Sequence, residues 1–239
     1  MNTGLFTLLL ATTLFAPSPS LGSAQAVEPR SPVPPLVNTR LESRARQVEQ
    51  YFELALTYTQ QGNLEGAIAS YQKVLKLEPD HGDAHYNLGL LQYAQGNISQ
   101  GMIHFQQAIQ LTPQVSDAYV WLGKGYYSQE QVPTAMQLWE KAIEIDPRSV
   151  YAYNSLGDAW TAQGNYTKAI AYYRQGLTHP DQEGIPVSAH TLAHNGLGYA
   201  LQQQGNLKEA ITEYQAALRL DPSFSPAQAN LQQAQQQLQ

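Results

Sequence analysis

The chain has 239 residues, of which 13 are lysine or arginine and 19 are aspartate or glutamate, so its formal net charge is −6. This balance argues against a nucleic-acid-binding protein, which needs a basic face to neutralise phosphates. The sequence contains no cysteine, which excludes disulfides, thiolate metal sites, cysteine nucleophiles and a lipid-modified cysteine.

Residues 1–26 have the pattern of a secretory signal peptide. An apolar run of 11 residues extends from Leu5 to Phe15, and a bilayer span needs about 20. Ala24-Gln25-Ala26 then provides a small-x-small cleavage site, although no lysine or arginine precedes the apolar run. We expect export to a periplasm, a thylakoid lumen or the extracellular space, without membrane insertion of the mature chain. The alternatives are an uncleaved membrane tether and a cytoplasmic tail.

Residues 27–39 are rich in proline and predict an extended linker, with prolines at positions 29, 32, 34 and 35. The first helix is expected from Arg40 to Gln61. It is longer than the first helices further along the chain, so residues 41–47 are expected to act as an amino-terminal extension.

From residue 48 onward the sequence repeats in five copies, whose starts are 34 residues apart except for a last step of 41. Each copy has a leucine followed by a small residue, then a tight turn, a second small residue and a large aromatic. The leucine pairs are Leu54-Ala55, Leu88-Gly89, Leu122-Gly123, Leu156-Gly157 and Leu197-Gly198. The turns are Gly62-Asn63, Gly96-Asn97, Glu130-Gln131, Gly164-Asn165 and Gly205-Asn206. The second small residues are Ala67, Gly101, Ala135, Ala169 and Ala210, and the aromatics are Tyr71, Phe105, Trp139, Tyr173 and Tyr214. A fixed period in this range indicates a stacked solenoid.

Each copy is predicted to be a helical hairpin. The turn glycine allows the left-handed backbone that ends a first helix, and the following asparagine, as at Asn63 and Asn97, can cap the second helix. A proline that lacks an amide hydrogen then stops the second helix, at positions 79, 113, 147 and 222. We expect the small residues Gly89, Gly123 and Gly157 to lie at close helix contacts opposite Ala67, Ala135 and Ala169. A bulky side chain in either row should cost about 1–3 kcal/mol.

The units are predicted at residues 48–81, 82–115, 116–149, 150–183 and 191–224. The second helix of the fourth unit should end near Thr178-His179-Pro180. An exposed loop is expected over residues 180–186, and residues 184–190 separate the fourth and fifth units. This insertion is either a tolerated surface loop or a loop that contacts a partner.

Residues 225–239 are predicted to form a capping helix that shields the last repeat. Ser225 would cap it and Pro226 suits its first turn. One apolar stripe is expected at Ala227, Leu231, Ala234 and Leu238.

These five copies over residues 48–224 resemble the tetratricopeptide repeat (TPR) family, in an exported bacterial or cyanobacterial form. The resemblance implies an all-α fold, a right-handed α-solenoid of five helix hairpins across residues 40–224 plus a C-terminal capping helix. It also implies a concave groove that binds peptides or other proteins, without specifying the partner.

In that architecture the first helix of each hairpin lines the concave side, and three side chains per unit are expected to point into the groove. From the first unit to the fifth they are Phe52, Leu56 and Thr59; Tyr86, Leu90 and Tyr93; Val120, Lys124 and Tyr127; Asn154, Asp158 and Thr161; and Asn195, Tyr199 and Gln202. Tyrosine suits such a surface because it combines a large area with a hydroxyl. The alternative for some of these tyrosines is packing between adjacent units.

Chaperone-binding TPR proteins hold a terminal carboxylate with a clamp of Lys, Asn, Asn, Lys and Arg. The matching positions here are Phe52, Leu56, Asn87, Asp117 and Trp121, of which only Asn87 agrees. The sequence therefore argues against capture of a chaperone tail. It favours an apolar or extended partner segment held by aromatic contacts and asparagine side chains, with Asn87 among the candidates.

Chemistry-bearing motifs are weak. His81/His85 and His190/His194 have the i, i+4 spacing that zinc sites use, but a stable site needs three or four ligands. A zinc-protease motif, a phosphate-binding loop and a nucleophile elbow are all missing from the sequence. Asn97 and Asn165 match glycosylation acceptors, and we interpret both as turn residues. We expect no catalytic activity, no cofactor and no metal.

The sequence thus predicts a non-catalytic scaffold or assembly factor that binds a protein or peptide in its concave groove. The alternative is a self-associating structural protein, a homo-oligomer that assembles through its C-terminal helix.

Overall fold

A computed structural model describes residues 35–182 and 187–239, with side chains from residue 41. These residues form eleven α-helices and no strand. The helices are α1 (Pro35–Gln60), α2 (Leu64–Leu77), α3 (Gly82–Ala94), α4 (Ile98–Leu111), α5 (Ser116–Ser128), α6 (Val132–Ile145), α7 (Val150–Ala162), α8 (Tyr166–Gly176), α9 (Ala189–Gln203), α10 (Leu207–Leu220) and α11 (Ser225–Leu238). The predicted signal peptide, residues 27–34 of the linker and residues 183–186 lie outside the described residues.

The first ten helices pair into five hairpins, which stack as an α-solenoid. Helix α1 begins at Pro35, five residues before the expected Arg40, because a proline in the first turn gives up no helical hydrogen bond. Its extension contacts the first hairpin, where the Arg44 guanidinium donates to the Leu77 carbonyl at the end of α2.

The hairpin turns follow the prediction. Gly62, Gly96, Gly164 and Gly205 have φ between 73° and 82°, and Glu130 has the same left-handed backbone at φ 63°. Asn63 caps α2 by accepting from the Gly66 amide at 2.9 Å. The expected cap at Asn97 is absent, because its amide group donates to the Gln92 side chain instead.

The small residues of the first helices lie beneath the aromatic side chains of the second helices. A Cβ atom added at Gly89 would be 2.7 Å from Phe105 Cε1, and one added at Gly157 would be 2.6 Å from Tyr173 Cε1. Gly123 lies in the same way under Trp139. The glycine row is thus at a close contact, as predicted, but the group that covers it is the aromatic four residues after the expected small residue.

The junction between the fourth and fifth units is tied to its neighbours. Helix α8 ends at Gly176, earlier than predicted, and the side chain of Gln182 accepts a 2.8 Å hydrogen bond from the Val150 amide at the start of α7. The backbone carbonyl of Gln182 accepts from the Ala189 amide at the start of α9. Residues 180–182 therefore fasten two first helices together, although Pro180 and Asp181 are exposed as expected.

Helix α11 caps the solenoid by packing against α10 and α9. Ala227 and Ala234 are fully buried and Leu231 is half-buried, which confirms most of the predicted stripe. Leu238 is 46% exposed and lies outside it. Ser225 is the first helical residue rather than the cap, a position held by Phe224.

Candidate functional site

The first helices α1, α3, α5, α7 and α9 form what we call the inner wall of the solenoid. Helix α7 contacts both α5 and α9, whereas the second helices pack mainly against the first helices on either side of them. From α5 to α9, neighbouring first helices are therefore closer together than neighbouring second helices, and this places the first helices on the concave side.

Four of the five candidates three residues before a small residue lie in the core. Phe52, Tyr86, Val120 and Asn154 are all 5% exposed or less. The Phe52 ring stacks on His81 at 5.0 Å, and the Asn154 side chain donates to the Ala189 carbonyl at 2.8 Å. This row connects successive hairpins instead of facing the groove.

Other candidates are also used for packing. Asn87 and Leu90 are buried, as are Thr59 and Gln202. Gln202 accepts from the Tyr214 hydroxyl at 2.8 Å and donates to Gln237 of the cap at 2.9 Å. Asn195 is half-buried and accepts from Asn230 of the cap at 3.0 Å. The predicted positions that remain accessible are Leu56, Tyr93, Lys124, Tyr127, Asp158, Thr161 and Tyr199.

The structure adds three residues that the groove prediction omitted, namely Asp117, Trp121 and Tyr151. Asp117 and Trp121 precede Lys124 by seven and three residues, so the three share one face of α5. Tyr151 occupies in α7 the position that Asp117 occupies in α5. Helical spacing from Lys124 and Asp158 is the signal that could have identified them.

These side chains meet in what we call the central cluster, which contains Tyr93, Asp117, Trp121, Lys124, Tyr127, Tyr151 and Asp158. The Lys124 ammonium lies 4.5 Å from the centre of the Trp121 ring and 5.5 Å from that of Tyr151. The Trp121 ring also meets Tyr93 edge to face at 5.3 Å. A cation over two aromatic faces is a favourable arrangement in a partly desolvated site.

Burial on the inner wall shifts the pKa values of the three charged side chains in the central cluster. Desolvation lowers the pKa of Lys124, while the carboxylates of Asp158 and Asp117 oppose that shift. Desolvation likewise raises the pKa of Asp117 and Asp158, with Lys124 acting in the other direction. Asp158 is open to solvent on one side, yet the surrounding wall crowds its carboxylate, and the Tyr173 hydroxyl donates to its Oδ1 at 2.6 Å.

A second accessible patch lies on α9. Leu192 and Tyr199 are 37% and 40% exposed, and they flank Gly196 on one helix face. The inner wall therefore has a charged aromatic centre and an apolar patch near its C-terminal end.

The histidines form hydrogen bonds and pairs with neighbouring residues of the repeats. His81 precedes α3 and its Nδ1 accepts from the Ala84 amide, so it does not share a helix with His85. His85 and His104 approach with 3.1 Å between their Nδ1 atoms, and His194 pairs with Glu213 at 2.6 Å. Across the described ranges, no group of three or more His, Cys, Asp or Glu side chains is arranged to hold a metal ion.

Among the helices that the structure describes, none is both long and apolar enough to cross a membrane.

Family models match most of the repeat region. A model described as TPR repeat matches residues 55–96 and 123–162, and two described as tetratricopeptide repeat match residues 82–115 and 191–224, and residues 150–178. A search of curated proteins gave no match.

Solved structures share the fold at low sequence identity. MamA is 22% identical with a TM-score of 0.59, over 74% of this chain and 93% of that one. TTC0263, a thermophilic TPR protein from Thermus thermophilus, is 20% identical with a TM-score of 0.61, over 78% and 98%. YrrB, a TPR protein with an unusual peptide-binding site, is 19% identical with a TM-score of 0.57, over 80% and 95%.

The stacked hairpins, the glycine row beneath the aromatics and the matching family models agree with one another, and the chain belongs to the tetratricopeptide repeat family.

Proposed function

We propose that the chain is a non-catalytic scaffold or assembly factor that binds a segment of a partner protein along its inner wall. The observation that carries this proposal is the central cluster, in which the half-buried rings of Trp121 and Tyr151 lie beside the Lys124 ammonium on the inner wall. Aromatic side chains supply much of the binding energy at protein interfaces, because they bury a large area at a small cost in conformational entropy.

The shape of the surface supports the same function. Helix α7 contacts both α5 and α9, so the exposed side chains of these three first helices lie on a continuous, preorganised wall. YrrB supports this as an analogy, since a protein of similar fold has a peptide-binding site.

A crosslinking pulldown tests the proposal. The wild-type chain is compared with a Tyr93→Ala/Tyr127→Ala/Tyr199→Ala variant, whose three changes lie at accessible inner-wall positions. Tyr86 is left intact because it is fully buried and its loss would damage the core. We expect the variant to lose the partners that the wild type retains.

Ile103→Ala is the matched control, because Ile103 is 49% exposed on the second helix α4, away from the inner wall. Equal loss of partners by the control and the triple variant would show that the loss is not specific to the inner wall, and it would remove the support for the proposal. Unchanged binding by the triple variant would refute the proposal.

A second candidate function is self-association through the C-terminal end. Leu220 and Leu238 are 50% and 46% exposed there, more than most large apolar side chains of the described chain. Sizing of Leu220→Gln and Leu238→Gln variants tests it: a shift from dimer to monomer would favour this candidate, and a monomeric wild type would exclude it.

We further propose that the chain is exported, on the basis of the apolar run from Leu5 to Phe15 and the Ala24-Gln25-Ala26 site. Mass spectrometry of the amino terminus of the protein from its native host tests this. A mature chain that begins at Val27 is expected, and a chain that retains Leu5–Phe15 would contradict cleavage.

A further inference from the structure

We propose that the guest of the inner wall is a basic, extended segment that places an arginine guanidinium against Asp158 and Tyr127. This inference rests on the proposed function, because it specifies the chemistry of the partner for the same groove.

The charge of the inner wall favours a cationic guest. Helix α1 contains three arginines and three glutamates, which balance each other. The other four helices, α3, α5, α7 and α9, contain three aspartates (Asp83, Asp117 and Asp158) and one lysine (Lys124), so the inner wall has a formal charge of −2. Complementary charge across an interface speeds association and disfavours partners of the wrong sign.

The only lysine of those four helices is already engaged within the chain. The Lys124 ammonium lies over the Trp121 and Tyr151 rings and interacts electrostatically with Asp158 and Asp117. Lys124 therefore balances the charge of one of the two aspartates, and its ammonium is poorly placed to form an ion pair with a carboxylate of a guest. By formal count, the central cluster has one more carboxylate than it has cations.

Asp158 is the carboxylate best placed to bind a guest. Its Oδ1 is fixed by the Tyr173 hydroxyl at 2.6 Å, while the residue remains exposed to solvent. Because the carboxylate is oriented before the guest arrives, binding costs less side-chain entropy.

Tyr127 supplies an aromatic surface beside that carboxylate. Tyr127 follows Lys124 by three residues on the same face of α5, and α5 contacts α7, which contains Asp158. The Tyr127 ring packs at 5.6 Å against Trp139, and desolvation together with the charge of Asp158 raises the pKa of its hydroxyl. A guanidinium pairs with a carboxylate and also stacks on a ring, whereas an ammonium gives only a point charge. Arginine is therefore favoured over lysine.

Selection from a phage-displayed library of random peptides tests the inference. The library is panned against the wild type, Asp158→Asn and Glu140→Gln. The asparagine variant retains an oxygen that accepts from Tyr173, so the local structure should be preserved. Glu140 is exposed on the second helix α6, so its variant controls for net charge alone.

We expect arginine to be enriched in peptides selected by the wild type and by Glu140→Gln, and to return to the input frequency with Asp158→Asn. A selected arginine peptide should bind Asp158→Asn about tenfold more weakly than the wild type, the size expected for loss of a charge-assisted contact. Lys124→Met should bind the same peptide more tightly, since the competing cation is removed.

Two results would overturn the inference, and they are distinguishable. In the first result, the wild type selects acidic or uncharged peptides, and the Tyr93/Tyr127/Tyr199 alanine variant fails to bind them. This result would refute the basic guest but would still support the inner wall as a binding site. Failure to select any peptide, together with an unchanged pulldown by that variant, would refute the proposed function as well.

Discussion

Glu130 has, at φ 63°, the left-handed backbone that Gly96 has at φ 82° in the preceding hairpin. A side chain with a Cβ is strained in this region, so the third hairpin retains a cost that the other four avoid by using glycine.

We therefore expect Glu130→Gly to raise the free energy of unfolding by about 1 kcal/mol, because it removes that strain. Urea titration followed by circular dichroism measures the change. The reciprocal variant Gly96→Ala should destabilise by about 1–2 kcal/mol through strain alone, since no atom lies within 4 Å of the added Cβ. A Glu130→Gly protein no more stable than the wild type would contradict this interpretation.

The contact between Gly89 and Phe105 predicts coupled mutations. Gly89→Ala should destabilise by about 1–3 kcal/mol, because its Cβ would lie 2.7 Å from the Phe105 ring. Phe105→Leu opens this space, so the double variant should be more stable than the sum of the two changes predicts. A double-mutant cycle in urea measures the coupling, and strict additivity would show that the two positions do not clash.

The His85–His104 pair predicts loss of stability in weak acid. Desolvation, with a smaller contribution from His85, lowers the pKa of His104 from 6.5 to about 4. Between those two pH values the unfolded chain binds more protons than the folded chain. The stability that depends on a neutral His104 is therefore complete above pH 6.5 and is lost as the pH falls towards 4. We expect the free energy of unfolding to fall by about 1–2 kcal/mol from this group, after allowance for partial exposure.

His104→Gln should flatten that dependence when urea midpoints are compared between neutral pH and pH 5. His194→Gln is the control, because His194 pairs with Glu213 in another hairpin. An unchanged slope in His104→Gln would rule out His104 as the source.

The buried side of α11 predicts a strong effect at Ala234. This residue is 0% exposed, and Ala234→Asp would bury a carboxylate in an apolar contact, so we expect a loss of about 2–3 kcal/mol. Gln233→Asp, one residue earlier on the exposed face, should change stability by less than about 0.5 kcal/mol. Thermal melts measure both, and equal effects would show that α11 does not dock as the structure describes.

Much of the fold follows from local sequence signals. The 34-residue period, the turn glycines and the closing prolines each act within a few residues, so they identify the hairpins and most helix ends. The repeat also predicts the close helix contact at Gly157, because a small residue recurs at this place in each unit. It does not reveal that Tyr173, four residues after the expected Ala169, is the group that covers Gly157.

The candidate site was less predictable. The sequence pattern placed Lys124, Tyr127 and Asp158 among the groove candidates, and the structure leaves these three accessible on the inner wall. The same pattern also included Phe52 and Tyr86, which the structure buries.

The amino-acid sequence is enough to define a stack of five helical hairpins with a cap, since that outcome depends on short-range turn chemistry repeated along the chain. Which face of each first helix remains open depends instead on how the hairpins pack. Each first helix packs against its own second helix and against the next hairpin, so two of its faces are buried. The angle between successive hairpins determines which remaining face stays exposed. That angle comes from side-chain packing between residues far apart in sequence, and it brought Trp121, Lys124, Tyr151 and Asp158 together.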